Sequence, residues 1–431
     1  MSTTFDSLRF TSYRTWFYAA LVTNTGTWMQ RVAQDWLVLR ILTHDSAAAV
    51  GVTTALQFLP TLLFSPHAGV VADRVDSRKL LVVTQLVMGA IGAVLAVDVL
   101  LGQAQLWHVY LAALLTGTAA AYDSPARQIF VARMVPPENL ANAVGLNSAS
   151  FNAARLLGPA LAGVVINWVG PGWVFAVNAF TFLFPAIALV TMRASLLYDV
   201  PRAPRTKGQV REGWAYVRHR TDIVVIIVIV SVVSMFTLNF QVTMAAMVRS
   251  TFDMEADAYG LVSSVFAVGS LAGALLAARR RSPRVRTVVV SAFFLGVSSL
   301  VLAVMPSYWT FAVATVPVGL CVLTLLTAAN QAVQMTSEPK MRGRVMSLYM
   351  MFFLGATPVG SPLIGWVSDE LGPRPAIAAG GLAAIAVAVG AGLWARRHWN
   401  VEVTSSASRP YLRTLGPRER AEGQGPTASS G

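Results

Sequence analysis

Residues 69–79 read Gly69-Val70-Val71-Ala72-Asp73-Arg74-Val75-Asp76-Ser77-Arg78-Lys79. Five of these eleven side chains are charged, and they separate two long apolar runs, 47–68 and 80–101. Each run is close to the ~20 residues that a helix needs to cross ~30 Å of hydrocarbon. So many charges cannot enter lipid. The segment therefore predicts a tight hairpin at a membrane face, with Gly69 allowing close backbone approach.

The rest of the chain extends this pattern. Hydrophobic residues make up 55% and charged residues 12% of the 431 positions. That charged share is about half the ~25% of a soluble domain, too little polar surface to meet water on all sides. Apolar runs recur at 16–39, 47–68, 80–101, 107–131, 143–168, 173–192, 222–247, 258–278, 287–305, 309–334, 345–367 and 375–395. The expected fold is an all-α integral membrane protein with twelve transmembrane helices. The first dozen residues are polar and the first run is long, so no cleavable signal peptide is expected.

A net charge of +13 invites a nucleic-acid reading, but its distribution argues against one. Of 33 Lys and Arg, 27 fall in the termini and in the loops after crossings 2, 4, 6, 8 and 10. Only Arg40, Arg249 and Arg374 fall on the other side, while Arg31, Arg127 and Arg155 lie within crossings. This alternation is the positive-inside pattern and places both termini in the cytoplasm. The basic loops suit an anionic lipid leaflet, so membrane lipid and not nucleic acid is the expected partner. Cys321 is the single cysteine and permits no internal disulfide.

The chain repeats itself at an offset of 202 across residues 107–171. Trp107 matches Trp309, Gly117 matches Gly319, Gly158 matches Gly360 and Gly163 matches Gly365. Gly170-Pro171 matches Gly372-Pro373. An earlier pair, AVGVTT (49–54) and AYGLVS (258–263), repeats at a different offset. The organisation that follows is an N-terminal segment 1–15, a six-helix bundle 16–192, a linker 193–221, a second six-helix bundle 222–396 and a tail 397–431. The tail, rich in Ser, Gly, Pro and Arg, is expected to be disordered. Within the linker, QVREGWAYVRHR reads either as a helix on the membrane surface or as a solvated connection.

A charge at the bilayer centre costs at least ~2.5–3.5 kcal/mol, so intramembrane polar residues mark function. In crossing 1, Asn24, Thr27, Arg31 and Gln34 share one helical face, with Asp35 beside them. In crossing 10, Thr324, Thr327, Gln331 and Gln334 show the same spacing. Asp35 is the first candidate for a carboxylate that carries a proton. Burial would favour its neutral form and Arg31, one turn away, its charged form. Arg155 lies mid-helix in ARLLGPALAG (154–163), as a counter-ion for Asp35 or a contact for an anionic substrate.

The Asp-Arg and Arg-Lys pairs of 69–79 resemble the signature loop after the second helix of major facilitator superfamily transporters. The resemblance implies two pseudo-symmetric six-helix bundles, with a central cavity lined by crossings 1, 4, 7 and 10 and a site near mid-membrane. It places both polar stripes, and Asn239 on crossing 7, in that cavity. By the same resemblance, Gly158, Pro159 and Gly163 form the kinked, closely packed helix 5 motif of drug–proton antiporters, with Ala154 and Ala162 in place of two glycines. Asp123, a second proton-coupling candidate, would join Arg127 and the loop residues Gly69, Arg74 and Arg78 in a gating network. Asp73 would cap the start of helix 11 near Arg344.

One departure concerns ALLTGTAAA (113–121), where Ala113 and Thr116 replace the usual Arg and Gln. GTWMQRVAQDW (26–36), YDSPARQIF (122–130) and FNAARLLGP (151–159) are more similar to the branch containing macrolide efflux pumps and the enterobactin exporter. The implied activity is proton-coupled export of an amphipathic small molecule by a monomer in the cell membrane. A nutrient importer or facilitator, and a lipid flippase or non-transporting sensor, stay open as alternatives. No Gly-Lys-Ser/Thr phosphate loop is present, so an ATP-driven or enzymatic reading has no support. The five histidines lack metal-ligand spacing, and no cofactor is expected.

Overall fold

The computed structural model describes residues 3–193, 195, 197–198, 209–278, 285–338, 341–398, 401–404 and 411–414. Its body is twelve crossings. The first six are α1 (Thr11–Trp36), α2 (Ala47–Arg74), α3 (Ser77–Leu100), α4 (Leu106–Met134), α5 (Leu140–Val169) and α6 (Pro171–Thr191). The second six are α7 (Thr221–Thr251, broken near Thr237–Asn239), α8 (Ala256–Ala278), α9 (Val285–Ala303), α10 (Tyr308–Thr336), α11 (Arg342–Leu371) and α12 (Pro373–His398). In lipid every backbone polar group must bond within the segment, which is why the apolar runs become uninterrupted helices.

An even number of crossings puts both chain ends on one face, here named the basic face; the opposite one is the far face. Ten of the helices are long and apolar enough to span a membrane by composition alone. The two others, α1 and α4, are those that carry Arg31 with Asp35 and Asp123 with Arg127. A girdle of exposed tryptophans marks the far face: Trp107, Trp168, Trp173, Trp309 and Trp366 are each more than half exposed. Such amphipathic rings settle at the level of lipid headgroups.

The sequence repeat is a repeat of contacts. A side chain on Gly117 would strike Gln57 of α2, and one on Gly319 would strike Phe266 of α8. Gly158 lies against Thr25 and Trp28 of α1, and Gly360 against Met235 of α7. Gly163 meets Ala256 and Asp257 of α8; Gly365 meets Ala47 and Ala48 of α2. The AVGVTT and AYGLVS pair behaves likewise, with Gly51 against Ser361 of α11 and Gly260 against Pro159 of α5. Small residues let helix backbones approach, which drives association where lipid removes the usual hydrophobic gain. Gly170 and Gly372 close the two α5-like helices at φ +86° and +92°, a region closed to most side chains. The bundles meet along α2–α11 and α5–α8.

Three expectations need correction. The hairpin at 69–79 is shorter than its charges suggest: Gly69 lies inside α2, which stays helical to Arg74, and the turn is only Val75-Asp76. Asp73 and Arg74 belong to the last turn of the helix, and the Arg74 side chain is exposed. Asp76 then caps α3, accepting the amides of Arg78 (2.8 Å) and Lys79 (3.4 Å). The linker carries a helix, Gln209–Val217, that docks on the second bundle: Glu212 pairs with Arg344 at 2.6 Å and Trp214 stacks on Phe352. In the tail, expected to be disordered, β1 (Val401–Thr404) and β2 (Tyr411–Thr414) pair antiparallel.

Candidate functional site

The polar stripe of α1 runs from half-buried Asn24, Thr27 and Arg31 to fully buried Gln34 and Asp35 near the far face. It faces the seam between bundles. Tyr259 of α8 donates its hydroxyl to Asp35 Oδ2 at 2.9 Å, joining the two halves through a buried hydrogen bond. Thr27 instead bonds back to the carbonyl of Thr23.

Arg31 and Asp35 do not form a permanent ion pair. Arg31 spreads over the rings of Trp28 (4.9 Å to the centroid) and Phe58 of α2 (5.5 Å), and its Nε is buried without a hydrogen-bond partner. Arg155 of α5 lies over the same Trp28 ring at 5.5 Å and over Phe266 of α8 at 5.4 Å. A ring face under a cation contributes ~0.5–2 kcal/mol, enough to offset only part of the insertion cost of a charge. Two guanidiniums thus share one indole, with the carboxylate of Asp35 buried one turn from Arg31.

The second polar stripe divides. Thr324 donates to the Gly273 carbonyl of α8 and serves helix packing. Thr327 is half-buried, and Gln331 holds a buried carbonyl oxygen without a partner. Gln334 is exposed near the basic face, bonded to Asn330. Asn239 sits at the break in α7, where its carbonyl oxygen accepts the Ser361 hydroxyl of α11 at 2.7 Å.

The expected gating residues fall in two places. Asp123 is buried and saturated: Arg127 grips Oδ2 through Nε (2.9 Å) and Nη2 (2.8 Å), while Thr84 and Gln85 of α3 donate to Oδ1 at 2.9 and 2.7 Å. Arg78 is elsewhere, donating to the carbonyls of Leu189 and Val190 at the end of α6 and to that of Met192 just beyond it. A cation there complements the helix dipole. In this conformation, then, the loop arginines do not reach Asp123. Arg74 is exposed, and the side chain of Asp73 lies outside the described residues.

Among the described residues, the hydrogen bonds and the ion pair that join the halves lie toward the far face, and sequence reasoning missed most of them. Asp369, at the end of α11, accepts from Ser46 Oγ (2.8 Å) and from the amides of Ala47 (2.6 Å) and Ala48 (3.0 Å). A carboxylate thus caps the start of α2 across the seam, where the helix dipole favours an anion. Arg249 lies 3.4 Å from Asp45 of the first bundle and 2.9 Å from Asp253. Both segments reach this point through a π-helical turn, Leu37–Leu42 after α1 and Met247–Thr251 ending α7. The one available signal was an acid near the end of helix 11 facing a Ser46 N-cap.

Two six-helix bundles closed at one face around buried polar groups define a membrane transporter. The chain belongs to the transmembrane secretion effector family of major facilitator proteins, whose model matches residues 2–415. It is 22% identical over 333 residues to macrolide efflux protein A of Streptococcus pyogenes, covering 76% of this chain and 82% of that protein. It is 23% identical to the staphyloferrin A transporter of Staphylococcus aureus, over 83% of this chain and 89% of that one. Its fold is similar to that of a bacterial homolog of the human lysosomal transporter Spinster, with TM-score 0.66 and 16% identity, covering 89% and 97% of the two chains.

Proposed function

We propose that this chain exports an amphipathic small molecule from the cytoplasm by alternating access, in exchange for protons. The observation that carries the reading is the bond from Tyr259 to Asp35, which ties the halves at the far face beside the polar stripe. Relatives that span most of the chain and are named for efflux of macrolides and of multiple drugs support the same direction. The positive-inside pattern puts the basic face in the cytoplasm, so the far-face contacts form the outer gate.

In this reading the structure is the loading state. The ionised Asp35 holds Tyr259 and keeps the outer gate shut while substrate enters from the basic face. Opening outward breaks that bond and exposes Asp35 to external water. A proton taken up there leaves an uncharged carboxyl, which costs less to bury than a carboxylate, so the protonated form closes the outer gate again. Return to the loading state releases the proton inward and restores the bond. Asp123, already held by three partners, anchors α3 to α4 instead of carrying the proton.

The test uses proteoliposomes with an imposed pH gradient and a panel of macrolides and other amphipathic drugs, first identified by susceptibility of cells with and without the expressed gene. Wild-type protein should drive drug movement only while the gradient lasts. Movement that ignores the gradient removes proton coupling, and no movement of any compound removes the exporter.

A further inference from the structure

We infer that Arg31 and Arg155, both laid on Trp28, form a clamp for a compact anionic group, and that the transported molecule is an amphiphile bearing one, such as a carboxylate. This deepens the exporter reading and rests on it. The charge count is the starting point. Two guanidiniums lie in the seam, over the same indole, within Coulombic range of each other. Among the described residues the buried acids are Asp35 and Asp123; Asp35 lies one turn from Arg31, and its Oδ2 is engaged by Tyr259. Asp123 is bound to Arg127, Thr84 and Gln85 between α3 and α4. Asp257, the acid at the start of α8, is exposed and bonds the neighbouring Ala258 amide. It faces Gly163, eight residues and so about 12 Å along α5 from Arg155. One positive charge is left over.

The hydrogen-bonding groups point the same way. Arg155 has ring contacts but no hydrogen bond or ion pair among the described residues, and Arg31 keeps a buried Nε without a partner. A guanidinium presents a planar fork of donors that matches a carboxylate or phosphate, so two unpaired forks are a ready receptor for an anion. The rings of Trp28, Phe58 and Phe266 beside them would take the apolar body of the same molecule. The four helices that supply these groups, α1, α2, α5 and α8, include both bundles, so an anion held here would bear on the packing of α8 against α5.

The experiment uses the purified full-length chain in phosphatidylcholine nanodiscs and two fluorescent probes, 11-(dansylamino)undecanoate and its primary amide. They differ only in the charge at one end. The carboxylate should bind at least tenfold more tightly than the amide. Arg31→Gln or Arg155→Gln should shrink that ratio several-fold, the double substitution should bring it to about one, and Arg155→Lys should keep part of it. Equal affinity of the two probes for the wild-type chain, or a tenfold ratio surviving the double substitution, overturns the clamp. The wild-type comparison decides by itself where a variant fails to insert. Replacing a third of the lipid by phosphatidylglycerol separates two sources of the anion. Weakened carboxylate binding there assigns the clamp to a lipid headgroup, and unchanged binding to a freely diffusing amphiphile; both retain the clamp. A probe that binds with the expected preference but never crosses a proteoliposome leaves the clamp and removes the exporter. Gradient-driven movement of both probes without preference does the reverse.

Discussion

The hydroxyl of Tyr259 on α8 and the carboxylate of Asp35 on α1 meet at 2.9 Å across the seam between the bundles. Both side chains are buried, and neither element could make the bond alone. It connects a titratable group to the packing of the two halves, which is the arrangement a proton-coupled gate requires.

Asp35→Asn keeps the shape and a hydrogen-bond acceptor but cannot change charge. Drug movement driven by a pH gradient should fall to background, while exchange of drug for drug at equal pH persists. Wild-type gradient-driven flux in that variant excludes Asp35 as the proton carrier. Tyr259→Phe leaves the carboxylate and removes the bond to it, worth ~1.5–3 kcal/mol for a charged partner. Its outer gate should open more often.

Asp369 holds three donors at the start of α2. Asp369→Ala should shift the balance toward an open far face by ~1–2 kcal/mol, a factor of roughly 5–30. Maleimide labelling from outside reports this, with Thr53→Cys as the probe in a Cys321→Ser background. Thr53 is fully buried in α2 behind the gate. A labelling rate equal to that of the unmodified gate would show that Asp369 is not a latch.

Gly365→Val should prevent closure of the far face altogether, because a Cβ there would lie 2.5 Å from the Ala47 carbonyl oxygen. Gly163→Val should act alike, at 2.8 Å from the Ala256 carbonyl oxygen. Both variants should insert, label at the far face and move no drug. Gly145→Ala meets nothing within 4 Å and serves as the control. Normal flux in Gly365→Val would contradict the packing of α2 on α11.

Asp123→Asn tests the difference between an anchor and a carrier. It leaves Arg127 without its charged partner, at a cost of about 1–3 kcal/mol given that the arginine is 28% exposed. Thermal unfolding should move down by several degrees, with the dependence of flux on the pH gradient unaltered. A changed proton dependence with unchanged stability would restore Asp123 as a coupling residue.

Much of the fold was legible because hydrocarbon imposes a strong and simple rule. A run of about twenty apolar residues must be a helix and charges must stay at its ends, so the twelve crossings and the repeat at offset 202 could be read directly. Glycines of the repeat were visible as matches, and their contacts follow the same symmetry. The ends of elements were less legible. Asp73 and Arg74 extend α2 beyond its apolar run, and Glu212 turns the linker helix toward Arg344.

Composition and the order of residues along the chain determined that this protein crosses the membrane twelve times, that its bundles are related, and that α1 carries an expensive polar stripe. Only the tertiary structure decided which polar groups meet: Asp35 with Tyr259, Asp369 with the start of α2, and Arg31 and Arg155 over one indole. The reason is one of range. Hydropathy and helix periodicity act within a segment, whereas a hydrogen bond or a stacked cation needs two segments, hundreds of residues apart, aligned to within an ångström.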